Sequence, residues 1–233
     1  MLNEAELTRK ALCPPQANVN KRSKGARATV NERLIIFVRA PRIGTVKSRL
    51  AAAIGPEAAL DAYQTMVRST LARLKTLPNV ELRYTPDDAA DEVRLWRKDS
   101  WILRPQGPGD LGERMQRAFV EAFTDGAGAV VIIGSDCPDV SVSDVLSAWA
   151  RLNEHDLVLG PASDGGYWLI GLRRPQPVLF QNITWSTSTV QAETLARAQR
   201  AELRTSLLRK LSDIDTEQDW LEFSNRQRSP SQS

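Results

Sequence analysis

Asp136 and Asp139 close a short apolar run, and two carboxylates three positions apart could hold a divalent cation against a phosphorylated substrate. The run is Ala129-Val-Val-Ile-Ile-Gly134, and Ser135-Asp-Cys-Pro-Asp139 follows it directly. A carboxylate at the end of a buried strand is costly unless paired or metal-bound. That assigns the cation to Asp136 and leaves Asp139 open between ligand and turn residue. Asp215, in Asp213-Ile-Asp-Thr-Glu217, is the candidate second ligand, with a helix N-cap as its other role. Oxygen donors of this kind suit Mg²⁺ or Mn²⁺. Asp164 precedes two glycines, Gly165 and Gly166, and then Tyr167. It is a candidate base or acceptor-orienting group, against the alternative of an ordinary Asp-Gly hairpin. Trp185 stands among hydroxyls in Thr184-Trp-Ser-Thr-Ser188, either shaping an acceptor pocket or filling core. Ser188 and Gln191 there fit a capping box. Positive charge comes from Lys47 and Arg49, behind a turn carrying Pro41 and Gly44, and from Arg114. Arginine suits bidentate phosphate contact. A solvated basic turn explains the first group equally well, and a plain helix start explains the Arg114 segment. Cys137 reads as a small packed residue, and His155 as structural or exposed.

The elements that must position these groups alternate between strand-like and helix-like. Apolar runs or alternation predict strands at 34–38, 80–85, 101–103, 129–134, 157–159, 167–172 and 206–208. Helical spacing predicts helices at 45–54, 57–77, 91–98, 111–123, 143–153, 189–200 and 217–223. Such alternation implies a mostly parallel sheet covered by helices on both faces. Ligands of open α/β sheets sit beyond the carboxyl ends of the strands, where Asp136 and Asp164 would then lie. A nucleotide or nucleotide-sugar is the ligand class this placement suggests. The GxxxxGK[ST] spacing of a P-loop is absent.

Composition narrows the class further. The chain has 233 residues, 42% hydrophobic and 25% charged, as in an ordinary globular domain. The sequence pI is about 9.0. Yet residues 1–33 hold seven basic and three acidic residues, so the remainder nets −1 against +3 for the whole chain. A nucleic-acid surface on the body is therefore not expected. The two cysteines, Cys13 and Cys137, make no disulfide framework or metal spacing, and no apolar stretch reaches membrane-span length. A reducing cytoplasm is the expected location. Residues 1–32 read as a disordered basic leader, 33–224 as one domain and 225–233 as a polar tail. Oligomeric state leaves no trace in the sequence.

A family resemblance rests on segments in fixed order. These are Phe37-Val-Arg-Ala-Pro41 with Gly44 and Lys47-Ser-Arg-Leu50, Gly109-Asp-Leu-Gly-Glu-Arg-Met115, Gly134-Ser-Asp-Cys-Pro-Asp139, Gly160-Pro161, Asp164-Gly-Gly-Tyr167, Leu169-Ile-Gly171, Trp185-Ser-Thr187 and Asp213-Ile-Asp-Thr216. Together, over roughly 34–223, they resemble small bacterial GT-A-type glycosyltransferase-like proteins. That family is described as a domain of unknown function, with some arsenosugar-biosynthesis glycosyltransferases among its members. The resemblance implies a nucleotide-diphospho-sugar transferase fold, a three-layer α/β/α sandwich. It puts Asp136 in the place of the metal-binding acidic motif and Pro41, Gly44, Lys47 and Arg49 at the nucleotide. Arg39, Ser48 and Ser69 depart from the family pattern, where Lys, Thr and an acidic residue are expected. The implied activity is metal-dependent transfer of a sugar from a nucleotide-sugar to a small-molecule acceptor. Guanylyltransferase-like nucleotidyl transfer and a non-catalytic nucleotide binder are the alternatives.

Overall fold

The computed structural model describes residues 31–228. The expected leader lies outside them apart from its last two residues, as do Cys13 and the end of the polar tail. Strand β1 (Glu32–Arg39) is followed by α1 (Ser48–Ile54), α2 (Pro56–Leu74), β2 (Val80–Thr85), α3 (Ala90–Arg94), β3 (Ile102–Pro105), α4 (Leu111–Thr124) and β4 (Ala129–Ile133). Then come α5 (Val142–Leu152), β5 (Leu157–Pro161), β6 (Tyr167–Leu172), α6 (Val190–Arg200), β7 (Thr205–Leu207) and α7 (Glu217–Arg228). A short 3-10 turn at Pro177–Leu179, unforeseen in the sequence, joins β6 to the α6 segment.

Seven strands form one sheet in the order β3-β2-β1-β4-β6-β5-β7. All neighbours are parallel except β6, which runs antiparallel between β4 and β5. Both faces are covered, which explains the unbroken apolar runs of the central strands. On β1, Leu34, Ile36 and Val38 join the core with residues of α1, α2, α5 and α7, while Ile35 and Phe37 join the core with α4 and α6. The fold is the expected three-layer α/β/α sandwich.

Element ends follow local chemistry. Asp110 caps α4 in a capping box with Glu113, and Ser141 caps α5 in another with Asp144. The expected capping box of Ser188 and Gln191 is not formed. Thr189 is the N-cap of α6 and makes no side-chain cap bond, and the Gln191 amide instead donates to the Gly165 carbonyl. The first helix starts at Ser48 rather than 45, because Lys47 takes a left-handed conformation (φ 49°, ψ 49°) as its N-cap. The last helix continues past 223 into the expected tail, to Arg228.

Candidate active site

The carboxyl ends of β1 and β4 and the amino end of β6 open onto one cleft of about 750 Å³. Because β6 reverses direction, β4 and β5 run parallel, and the turn carrying Asp164 is delivered to the same sheet edge as Asp136. Asp136, Asp164, Asp213 and Asp215 all line the cleft, together with Arg39, Lys47, Arg49 and Arg114.

Lys47 is the hub of the acidic group. Its Nζ lies 2.9 Å from Asp136 Oδ1 and 3.1 Å from Asp215 Oδ1, and it donates to the Ile214 carbonyl at 2.7 Å. Its side chain is only 4% exposed. Burial opposes the charge, but Asp136 and Asp215 outweigh it and hold the ammonium pKa above the ordinary lysine value. Arg49 lies 3.4 Å from the other Asp215 oxygen and is otherwise exposed. The first-loop lysine thus faces the carboxylates rather than the open cleft.

Asp136 and Asp139 separate. Asp136 is half-exposed beside Lys47. Asp139 is absent from the cleft lining and ties elements together: its carboxylate accepts from Arg226 of α7 at 3.0 Å and lies 3.8 Å from Arg73 of α2. Its carbonyl accepts from Arg209. The turn role holds for Asp139.

Asp213 was visible in the sequence only as the flank of Asp215. Its carboxylate accepts a hydrogen bond from the buried Cys137 thiol, and burial, aided by Asp136 and Asp164, raises its pKa to about 6. Burial also pushes the Cys137 thiol up, so it is a packed neutral donor. Tyr63 of α2, not singled out in the sequence, reaches the cleft lining. Its hydroxyl accepts from the Arg39 amide at 2.8 Å and donates to the Arg39 carbonyl at 3.0 Å, fixing the end of β1. Burial pushes that phenol up to about 12. Gln106, also unforeseen, is buried and donates to the Val38 and Arg83 carbonyls.

On the other side, Asp164 accepts from the Gly166 amide at 2.9 Å, the local turn expected of Asp-Gly-Gly. Gly165 adopts φ +91°, and a Cβ there would meet the Ser188 carbonyl at 2.1 Å. Only glycine lets this turn dock against the start of α6. Tyr167 and Trp185 line the cleft and also pack against the α4–α6 core. Arg114 is held by the Gly109 carbonyl and lies 3.4 Å from Thr85 at the end of β2. Pro41 and Gly44 stand in the β1–α1 loop but outside the cleft lining. His155, in the turn after α5, bonds the Arg151 carbonyl of that helix, away from the cleft.

Among the described residues no group of three His, Cys, Asp or Glu side chains gathers tightly enough to enclose a metal. Asp136 and Asp215 nevertheless converge on one cationic atom. Mg²⁺ commonly uses one or two carboxylates and completes its shell with water and substrate phosphates. The donor set fits a hard divalent cation carried with a phosphate chain. Among the described residues no helix is long and apolar enough to cross a membrane.

Three relatives give this geometry a context. Phosphoenolpyruvate guanylyltransferase of Sphaerobacter thermophilus is 30% identical over 193 residues, 79% of this chain and 89% of its own length. A crystal structure from Desulfovibrio desulfuricans G20, provisionally described as a nucleotide-diphospho-sugar transferase, is 34% identical with a TM-score of 0.80, over 87% of this chain and 90% of that one. At 9% identity and a TM-score of 0.55, 4-diphosphocytidyl-2C-methyl-D-erythritol synthase of Anaerococcus prevotii shares the fold, over 85% of this chain and 97% of that one. A family model described as "uncharacterized protein conserved in bacteria (DUF2064)" matches residues 70–187, half of the chain. The chain belongs to this DUF2064 family, and it is a transferase-type enzyme with the nucleotide-diphospho-sugar transferase fold.

Proposed function

We propose that the protein is a cytoplasmic glycosyltransferase that moves a sugar from a nucleotide-sugar to a small, neutral, hydroxylated acceptor. One observation carries this reading: positive charge is confined to one half of the cleft. Every lysine or arginine among the described lining residues comes from β1, the loop and helix behind it, or α4. The opposite half, from the β5–β6 turn and the segment before α6, offers Asp164, Gly166, Tyr167, Trp185, Ser186 and Thr187, with no cation among the described lining residues. Diphosphate belongs with the cations. Hydroxyls, indole and a carboxylate suit a neutral polyol or sugar acceptor far better than an anion.

In this reading Asp136 and Asp215 hold Mg²⁺ or Mn²⁺. When bound, the ion neutralises charge developing on the departing nucleoside diphosphate. Arg49 and Arg114 orient the phosphates, and Pro41 and Gly44 shape the loop that carries Lys47. Asp164 accepts the proton of the acceptor hydroxyl, Gly166 allows close approach, and Gly165 lets the turn seat against α6.

Nucleotidyl transfer is the second reading, favoured by the 30% identity to a guanylyltransferase. The substrate in that relative's name, phosphoenolpyruvate, is an anion that the β5–β6 half is poorly equipped to bind. Product analysis separates the two. Incubation with a panel of nucleotide-sugars, nucleoside triphosphates and Mn²⁺ should release nucleoside diphosphate and no pyrophosphate. Pyrophosphate release from a triphosphate would instead establish nucleotidyl transfer, and no turnover with retained nucleotide binding would leave a binding protein.

A further inference from the structure

We infer that Lys47 is an internal counter-ion that keeps a divalent cation off Asp136 and Asp215 until a nucleotide phosphate draws its ammonium away, so that metal and nucleotide bind only together. This rests on the proposal that these two carboxylates hold the metal. An ammonium has three donors, and all three have partners here: Asp136 at 2.9 Å, Asp215 at 3.1 Å and the Ile214 carbonyl at 2.7 Å. It therefore occupies both the charge and the space that a cation shared by the same oxygens needs. The lysine side chain is 4% exposed, so solvent reaches this contact only from the side of the carboxylates, where Asp136 and Asp215 are partly open.

A free metal ion must compete with a tethered cation, which acts at high effective concentration. Arrival of the ion alone would also press two cationic groups together over two carboxylates. A diphosphate removes both obstacles. It offers Lys47 a replacement anion, for which a lysine is a suitable point-charge partner. It also supplies oxygens to complete the metal's shell. Lys47 sits in the irregular stretch between β1 and α1, with a left-handed backbone that L-residues other than glycine rarely keep. That stretch, rather than a sheet strand, is what must adjust when the ammonium changes partner. By linkage, nucleotide must tighten metal binding by the same factor as metal tightens nucleotide.

The test measures protein-bound Mn²⁺ by electron paramagnetic resonance, with Mn²⁺ alone and then with GDP, UDP or CDP, corrected for Mn²⁺ held by free nucleotide. In the wild type, at least one nucleotide should tighten Mn²⁺ binding by about tenfold or more, within the usual range of coupling between sites. Lys47→Gln should bind Mn²⁺ alone about tenfold more tightly than wild type and lose most of the nucleotide coupling. Wild type that binds Mn²⁺ equally well with and without nucleotide overturns the counter-ion role, whether or not the variant folds. Asp136→Asn and Asp215→Asn keep the two claims apart. If wild-type Mn²⁺ binding is tight but nucleotide-independent and either change abolishes it, the metal site stands and only the role of Lys47 fails. If no state binds Mn²⁺, or if neither Asn variant weakens it, the metal reading fails and this inference with it.

Discussion

Asp136, Asp139 and Asp213 are three carboxylates of one corner, and their surroundings assign them different work. Asp136 is half-exposed but is one of two carboxylates on the buried Lys47 ammonium, so Asp136→Asn should cost stability modestly, with Asp215 and the Ile214 carbonyl still holding that ammonium. Turnover should drop on the order of 10²–10³-fold, as for loss of one electrostatic element of a transition state. Asp139→Asn should affect stability alone. It loses partly exposed pairs with Arg226 and Arg73, a loss of about 1 kcal/mol at most in urea titrations, with turnover retained. Asp213 gives a pH signature. Its native pKa is raised to about 6 chiefly by burial, so the native state binds its proton more tightly than the unfolded chain does. Stability from this group is therefore present at low pH and is lost as pH rises toward 6. Asp213→Asn keeps an acceptor for the Cys137 thiol and removes that penalty. The variant should be more stable than wild type by about 2 kcal/mol above pH 6, with the gain fading between pH 6 and 4. A gain that grows toward low pH would refute the assignment.

The elements were more legible than the side chains they carry. Helices and strands announce themselves through periodicity, which is written in neighbouring residues. What the periodicity of β2 could not disclose is that Glu81 and Arg83, both 0% exposed, lie inward beneath α4. Their partners, Arg33, Glu121 and, through Arg33, Asp125, come from 38 to 92 positions away. No local pattern carries that pairing. Removing one member of a buried pair strands the other charge. Arg83→Met should cost about 3–5 kcal/mol of unfolding free energy, and the double change Glu81→Leu with Arg83→Met should recover most of it. The turn at Gly165 is a second element-level device. Gly165→Ala would force a Cβ into the Ser188 carbonyl, detach the Asp164 turn from α6, and lower turnover at least about tenfold while far-ultraviolet circular dichroism stays native.

At the scale of the whole molecule the site is assembled from both ends of the described chain, which is why the carboxylates that surround Lys47 could not be read from its own segment. Spacing near Pro41 and Gly44 shows a basic turn. It cannot show that the segment after β7 returns to lay Ile214 and Asp215 against that turn. Antiparallel β6 was hidden for the same reason, since an apolar run has no direction until its neighbours are known. The returning segment is fastened by Ile214, 4% exposed, and by Phe223 of α7, 1% exposed in the α2–α5 core. Thr216 and Asp219 start the helix between them by capping each other. Core packing of α7 and cation binding at Asp215 should thus be coupled, although Phe223 is no part of the cleft lining. Phe223→Ala should cost about 3–5 kcal/mol. In its folded fraction it should also weaken nucleotide-dependent Mn²⁺ binding, because Asp215 loses its anchor. Arg83→Met, of similar cost but lying under α4, serves as the control and should leave Mn²⁺ binding by folded protein unchanged. Equal binding by both variants would show that α7 stabilises the fold without positioning the site.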